Sequence, residues 1–557
     1  MFVMGNMMKL MSLIGQKIIR SLDEMSEDPR KVQEELLLSL LQQNQDTEFG
    51  KSSGFSEIHS IEEYQEKVPI REYDEFAPYI ERMVKGEQNI LTFEDIHHFN
   101  RTSGTLGNAK YIPLSQKQTS IMGKYHALHT NGVISSQIGY GWNDGKGINL
   151  MEGTAEVLES GATYGSASSV AVKSGPFKNM TSSIYTSPIE AKQPSKGVIT
   201  RYIHARFALQ ESNVTYVIAT FSSIVLEFFR YIEDHWELLV RDIENGTIDE
   251  SIDLPEEVRA SLLAKIRPNP KRAKALREAF SKGFDKPWAK KVWPKMQYMF
   301  SAAGANFAPY TEKLQKHILG DEIQIFYQGV SASEGMFSAV YKMGKADSVL
   351  VPDGCFMEFR DSENEDAPCL TMDQLEEGKC YELIITNYSG LYRYRMHDVL
   401  RVTGFHKKTP LVQFETRTGY AANIRGEKTS DAAVRYAVYE TEKALGLEVT
   451  DYSIYSDTDS LPPAYVFLLE LRSRPDGLEK EEIRTSLRAK LLEANKNIAH
   501  HLEDGYLGDP QLVLLQPETY LLYRDLMIMK GTSASQLKPV HVIRNEIQRR
   551  FFFGLQE

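Results

Sequence analysis

A chain of 557 residues is longer than one hydrophobic core normally organises, so at least two domains are expected. Its 42% hydrophobic and 25% charged residues are ordinary globular values that argue against a mostly disordered chain. A net charge of −12 excludes a general nucleic-acid binder, and any anionic ligand must therefore meet a local site.

The first twenty residues, M-F-V-M-G-N-M-M-K-L-M-S-L-I-G-Q-K-I-I-R, are mostly apolar but are interrupted by Lys9 and Lys17 well short of a membrane span. They lack an early basic region and a small-residue cleavage site, so an amphipathic first helix packed on the body is expected, with no membrane partner. Leucines at helical spacing predict a second helix over residues 30 to 42. His97 and His98 are adjacent and point in different directions on either a strand or a helix, which disfavours a shared metal.

Residues 101 to 111, R-T-S-G-T-L-G-N-A-K-Y, have the chemistry of a phosphate cradle. Thr102, Ser103 and Thr105 supply hydroxyls, Gly104 and Gly107 allow a tight turn with outward N–H groups, and Lys110 adds a cation. A hydrophilic hairpin turn would use the same residue types. No G-x-x-x-x-G-K-[ST] occurs, so this is not a P-loop.

A helix is predicted over 115 to 130. The glycine-rich run 139 to 147 reads as a loop despite Gly145 and Lys146, and the Ser/Gly/Ala-rich segment 160 to 187 either lines a tunnel or packs backbone on backbone. Residues 214 to 243 begin as a β-branched strand and pass into a helix that is polar through Glu227, Arg230, Glu233, Asp234 and Glu237, with His235 on the exposed side. Gly246 supplies a left-handed stop, and Trp236 and Asp242 read as packing and capping residues. The basic stretch from Arg267 to Lys295 is expected to be a solvated helical face. A strand then ends in the small residues Ser301 to Ala305, the end of an α/β strand at which a ligand approaches.

The run I-Q-I-F-Y-Q-G-V-S-A-S-E-G-M-F, 323 to 337, predicts a buried strand breaking at Gly329 into a small-residue loop that carries Ser333 and Glu334. A carboxylate there needs a partner. Magnesium on nucleotide phosphates would serve, and so would a nearby arginine. Residues 381 to 402 predict two strands joined at Ser389–Gly390. Alternation puts Tyr392, Tyr394 and Met396 on one face and Arg393, Arg395 and His397 on the other. Asp398 is expected at the strand's end, where a carboxylate can accept both hydroxyl hydrogens of a ribose. After Arg417, a helix at about 429 to 445, strands near 450 to 456 and 464 to 472, and a helix from 478 to 502 predict a compact α+β unit.

These stretches carry a resemblance. T-S-G-T-L-G-N-A-K resembles the T-S-G-T-x-G-x-x-K loop of adenylate-forming enzymes. V-S-A-S-E resembles the small-S-S-E motif, and Y-R-Y-R-M-H-D the Y-R-Y-R-x-G-D motif, of the auxin-responsive acyl-acid amido synthetase family. Two departures stand out: Val330 where the family has an aromatic residue, and His397 where it has glycine. His397 either touches the nucleotide or replaces the glycine on a solvent-facing turn.

The resemblance implies an α/β fold with a large N-terminal domain binding ATP and an acyl acid, residues 1–416, and a small mobile α+β C-terminal domain, residues 417–557. It implies a ligase that adenylates a carboxylic acid with ATP and Mg2+, then transfers the acyl group to the amine of an amino acid. Thr102, Ser103, Gly104, Thr105, Lys110 and Ser333 would hold ATP, Glu334 the magnesium, and Asp398 and Arg417 the ribose. Lys538, in K-G-T-S-A-S-Q-L-K-P-V, stands in the place of the mobile catalytic lysine. Two alternatives stay open: thioester formation with coenzyme A, and a non-catalytic nucleotide-binding regulator of the same fold. Oligomeric state is not readable. Three cysteines, Cys355, Cys369 and Cys380, too loosely spaced for a disulfide framework, fit reduced thiols in a cytoplasm.

Overall fold

The computed structural model describes the chain apart from Met1, 103–109, 140–143, 152–154, 166–183, 189–190, 192–196, 305–306, 418–421, 423, 425–426, 428, 533 and 535–536, and the side chains of 2–9, Thr102 and 197–199. It divides into two compact units, Met1–Glu415 and Thr416–Glu557.

In the first unit, helix Phe2–Met25 packs on the helical run that ends in Thr130–Ile138. Gly15 and Gly132 let the two backbones touch: a Cβ at Gly15 would lie 2.1 Å from the Leu128 carbonyl oxygen. Ser12 and Ser135 share a 2.7 Å hydrogen bond beside that crossing. The apolar face of Ile18 and Leu22 is thus spent on the body, as an amphipathic helix requires. Among the described residues, no helix is long and apolar enough to cross a membrane.

Among the described residues, the strands of this unit form three main sheets. The hairpin of β1 (Ile96–Thr102) and β2 (Lys110–Ser115) belongs to one. Strand β3 (Lys146–Asn149) starts a second sheet, whereas β4 (Ala155–Val157) and β5 (Thr163–Gly165) complete the first in the order β2-β1-β5-β4. Parallel strands β6 (Val214–Phe221), β7 (Tyr298–Ala302) and β8 (Gln324–Tyr327) extend the second as β3-β6-β7-β8. Val, Ile and Ala fill β6 because a parallel sheet is covered on both faces.

Helix Ser222–Asn245 follows β6 directly and packs Phe228, Phe229 and Ile232 into a core that also holds Trp288 and Trp293. Gly246 ends it at φ 70°. Each indole finds an acceptor, Trp288 in Glu233 at 2.9 Å and Trp293 in the Ala208 and Glu211 carbonyls. The basic stretch that follows is only partly a solvated face. Lys271 and Lys274 are exposed, but Arg272 turns inward to donate to the Leu209 and Val292 carbonyls, and burial pushes its pKa down to about 10.

A small hairpin, β9 (Ser331–Ala332) with β10 (Gly335–Met336), leads into the third sheet. That sheet contains β11 (Ser338–Val340), β12 (Ser348–Leu350), β13 (Phe356–Asp361), β14 (Cys380–Thr386), β15 (Tyr394–His406) and β16 (Thr409–Arg417), in the order β11-β12-β16-β15-β14-β13.

The second unit is an α+β layer with its own core of Val434, Ile454, Phe467 and Leu487. Strands β17 (Glu448–Asp457), β18 (Ala464–Ser473), β19 (Gly508–Leu515) and β20 (Val542–Ile543) pair in the order β19-β18-β17-β20. The helix expected over 478 to 502 is two, Lys480–Ala494 and Lys496–Glu503. Asn495 leaves the helical backbone at φ −137°, and its side chain caps the second helix by accepting from the Asn497 amide.

Candidate active site

Strands β1 and β2 form the stem of the Thr/Ser/Gly loop, with Arg101 opposite Tyr111 and Thr102 opposite Lys110. Phe99 and Ile112, both buried, root that stem in the core. Ser103, Gly104 and Thr105, and the side chain of Thr102, lie outside the described residues. Lys110 is set at the stem's exit, its Nζ 4.7 Å from the centre of the Tyr73 ring. The Tyr73 hydroxyl in turn accepts the Tyr111 N–H at 2.9 Å. The two histidines before the loop part company: His98 Nδ1 lies 2.7 Å from Thr163 Oγ1, and His97 Nε2 3.1 Å from Thr119 Oγ1. Among the described residues, no cluster of three His, Cys, Asp or Glu side chains could hold a metal.

Glu334 sits with Ser333 at the tip of the β9–β10 hairpin, only 7% exposed. The hairpin is possible because Gly329 lies against β11, where a Cβ would come 2.3 Å from the Ser338 carbonyl oxygen. Val330 takes a 2.7 Å hydrogen bond from its N–H to Ser338 Oγ and packs on the apolar core. Two asparagines hold the peptides at the tip: Asn100 Nδ2 donates to the Ser333 carbonyl at 2.6 Å, and Asn387 Nδ2 to the Glu334 carbonyl at 2.9 Å. One buried carboxylate at a loop tip suits magnesium, which keeps its waters and takes one or two carboxylates beside substrate phosphates.

Between β14 and β15 the chain turns through Asn387, whose Oδ1 accepts the amides of Ser389 and Leu391 at 3.0 and 3.1 Å. Gly390 sits at φ 97° there, and a Cβ would lie 2.6 Å from that of Leu91. Beyond the turn, Tyr392, Tyr394 and Met396 enter the core. On the other side Arg393 pairs with Glu358 and Arg395 with Glu382, each through Nε, at 3.0 and 2.8 Å.

Asp398 is not at the strand's end, because β15 continues to His406. Pairing passes from Ile384 opposite Arg395 to Glu382 opposite Val399, so Leu383 alone faces Met396, His397 and Asp398. A bulge therefore does what a strand end was expected to do, re-aiming a carboxylate in mid-sheet. Asp398 is 8% exposed. His397 carries the bend at φ 61°, a left-handed conformation that suits the glycine of the resembled motif. Its Nε2 lies 2.8 Å from Glu72 Oε2 and its Nδ1 3.5 Å from Glu382 Oε1. Glu382, then Glu72, hold the imidazolium and raise its pKa above the ordinary histidine value, against the effect of burial. His397 thus takes over the glycine's backbone role and is tethered by Glu72 and Glu382 rather than merely solvated.

Residues 71 to 73 stitch these parts together, a role the sequence reading missed. Arg71 exchanges backbone hydrogen bonds with Arg393 and Arg395, both at 3.0 Å, Glu72 meets His397, and Tyr73 lies under Lys110. The one available signal was the capping-box spacing of Glu72 and Glu75 that opens helix Tyr73–Val84. Asn100 and Asn387 were also missed; each is a lone amide beside apolar strand residues. In the second unit, Arg417 ends β16 exposed, and Lys538 is exposed shortly before β20.

Known proteins share this organisation. The GH3 family N-terminal domain matches residues 18–323, the GH3 family central domain 348–417 and the GH3 family C-terminal domain 432–547. The chain is 28% identical to indole-3-acetic acid-amido synthetase GH3.8 of Oryza sativa subsp. indica over 93% of its own length and 89% of that protein's. It is 25% identical to 4-substituted benzoates-glutamate ligase GH3.12 of Arabidopsis thaliana, with 96% of each chain covered. Its fold superposes on GH3.15 acyl acid amido synthetase with a TM-score of 0.85 at 22% identity, covering 97% and 96% of the two chains. A more distant likeness, TM-score 0.50 at 10% identity over 94% and 92%, joins it to 2-hydroxyisobutyryl-CoA ligase. The chain belongs to the GH3 family, the acyl-acid amido synthetases of adenylate-forming fold that its three motifs resemble.

Proposed function

We propose that this ATP-dependent ligase activates a carboxylic acid as its adenylate and passes the acyl group to the amine of an amino acid. A carboxylate oxygen attacks the α-phosphorus of ATP, the bond to the β-phosphate breaks, and pyrophosphate leaves. The amine nitrogen then attacks the acyl carbon, the bond to the phosphate oxygen breaks, AMP departs and the amine gives up a proton. Thr102, Ser103, Gly104, Thr105, Ser333 and Lys110 hold the phosphates, Asp398 and Arg417 the ribose, and Glu334 is the carboxylate for magnesium. Magnesium, when bound, neutralises phosphate charge. Lys538 offsets the charge that builds on the α-phosphate in the transition state, and the small C-terminal domain, residues 417–557, moves between the two steps.

One observation carries this reading. The stem of the Thr/Ser/Gly loop, the hairpin bearing Glu334 and the bulge bearing Asp398 are tied to one another by Asn100, Asn387 and the segment 71 to 73. Three stretches that are remote in sequence are thus held beside one another in the first unit, which supports reading them as one site.

The acid is of the aryl or alkyl type that GH3 relatives are named for, indole-3-acetic acid, substituted benzoates and jasmonate among them. Unpaired Cys355, Cys369 and Cys380 support a reducing, cytoplasmic setting, and the net charge of −12 supports small molecules rather than nucleic acid as partners. The testing experiment incubates enzyme, ATP, magnesium and an acid panel with either amino acids or coenzyme A, and reads products by mass spectrometry. Amide is expected with an amino acid; thioester alone would assign the chain the other ligase chemistry.

A further inference from the structure

Glu334 lies on a hairpin whose strands are two residues each, too short to fix a side chain by their own ladder. What fixes it comes from outside. Asn100, fully buried in β1, donates to the carbonyl just before Glu334, and Asn387, 1% exposed, donates to the carbonyl of Glu334 itself. The far ends of these amides differ. Asn387 Oδ1 is used by its own turn, whereas Asn100 Oδ1 is buried with no partner among the described residues. A buried amide kept with half its capacity unused is costly unless the bond it does make matters.

We propose that Asn100 and Asn387 are positioning residues that aim the Glu334 carboxylate at the magnesium accompanying ATP. Asn100 stands two residues before Thr102 on the same strand, so its bond fixes the spacing between the loop stem and Glu334. Asn387 opens the turn into Tyr392–Asp398, so its bond fixes the spacing between Glu334 and the ribose carboxylate. Glu334 and the loop that would hold the phosphates lie on separate chain segments, so a magnesium held between them would depend on that spacing, and misplacement by about 1 Å is enough to impair such a site. The proposal rests on the assignment of Glu334 made above.

The test titrates magnesium against Asn100→Ala and Asn387→Ala, reading ATP binding by calorimetry and acid-dependent pyrophosphate exchange. Each substitution is expected to raise the half-saturating magnesium concentration by about 10-fold in both readouts, leaving metal-free ATP binding and the KM for the acid unchanged. In a Glu334→Ala background the same substitutions should add nothing further, because they act through that carboxylate. Asn100→Ser and Asn387→Ser provide smaller polar replacements if an alanine variant fails to fold. Unaltered magnesium dependence in folded variants, or an effect that adds in full to Glu334→Ala, overturns the proposal. If the wild-type protein binds ATP independently of magnesium, the assignment of Glu334 itself fails, and this inference with it.

Discussion

At the scale of single residues, Glu334 and His397 make opposite demands on their surroundings. Glu334→Gln keeps the volume at the hairpin tip and removes the charge, so acid-dependent pyrophosphate exchange should fall by about 100-fold or more while the Tm barely moves. His397 is a question of backbone as well as charge. Its folded pKa is raised by Glu382 and Glu72, so the stabilisation from its charged form is complete below the ordinary histidine value and is lost as pH rises through the folded one. Arg395 opposes that charge from the same strand, and Glu72 and Glu382 face it from the neighbouring segments. A non-glycine residue at φ 61° costs about 1–2 kcal/mol. His397→Gly should therefore lower the Tm at pH 6 relative to wild type, and the deficit should shrink or reverse by pH 9. A pH-independent difference would contradict this. Glu334 and Asp398 stood out in the sequence because a carboxylate amid small residues, or beside alternating aromatics, has few bland explanations, and the structure buries both. Asn100 and Asn387 did not, since an asparagine in a strand or a turn becomes informative only once its carbonyl partner is known.

Among elements, turns and caps set the geometry. Gly390 combines φ 97° with a Cβ position 2.6 Å from Leu91 Cβ. Gly390→Ala should destabilise the protein by about 3 kcal/mol, measured by denaturant titration, through strain and overpacking together. In the second unit, Glu470 of β18 accepts the amides of Glu518 and Tyr520 at 3.0 Å each, capping helix Thr519–Met529. Burial raises its pKa from 4.5 to about 7. A carboxyl that keeps its proton longer when folded is penalised as pH rises, so stability should fall between about pH 4.5 and 7 and level off above, by up to about 3 kcal/mol. Glu470→Gln should flatten that slope in Tm-versus-pH curves. The strand-to-helix passage at 214 to 243 was readable because period and apolarity change together. The mid-strand bulge at 396 to 398 was not, because a bulge leaves the alternating pattern intact on both sides and shows itself only in the partner strand's register.

For the whole molecule, the family's three domains map onto a chain whose contacts divide at residue 415. Lys538 lies in the second unit and the Glu334 hairpin in the first, and the role proposed for the lysine belongs to the adenylation step alone. On that proposal, Lys538→Ala should slow pyrophosphate exchange by about 100-fold, yet pass a chemically supplied acyl-adenylate to the amino acid at near the wild-type rate. Equal loss in both half-reactions would contradict that division. The acid pocket stays illegible in the sequence for a physical reason: such pockets are built from apolar side chains on distant segments, and no spacing along the chain records their convergence. The measurement that bears most directly on the central claim is acid-dependent exchange of labelled pyrophosphate into ATP, across aryl and alkyl carboxylic acids, with Glu334→Ala and Lys538→Ala in parallel. Exchange with at least one acid class, lost in Glu334→Ala and strongly reduced in Lys538→Ala, is the result expected of an adenylate-forming ligase. ATP binding without exchange for any acid, and no acyl-adenylate on the purified protein by mass spectrometry, would contradict it and leave a nucleotide-binding protein that keeps the fold without the chemistry.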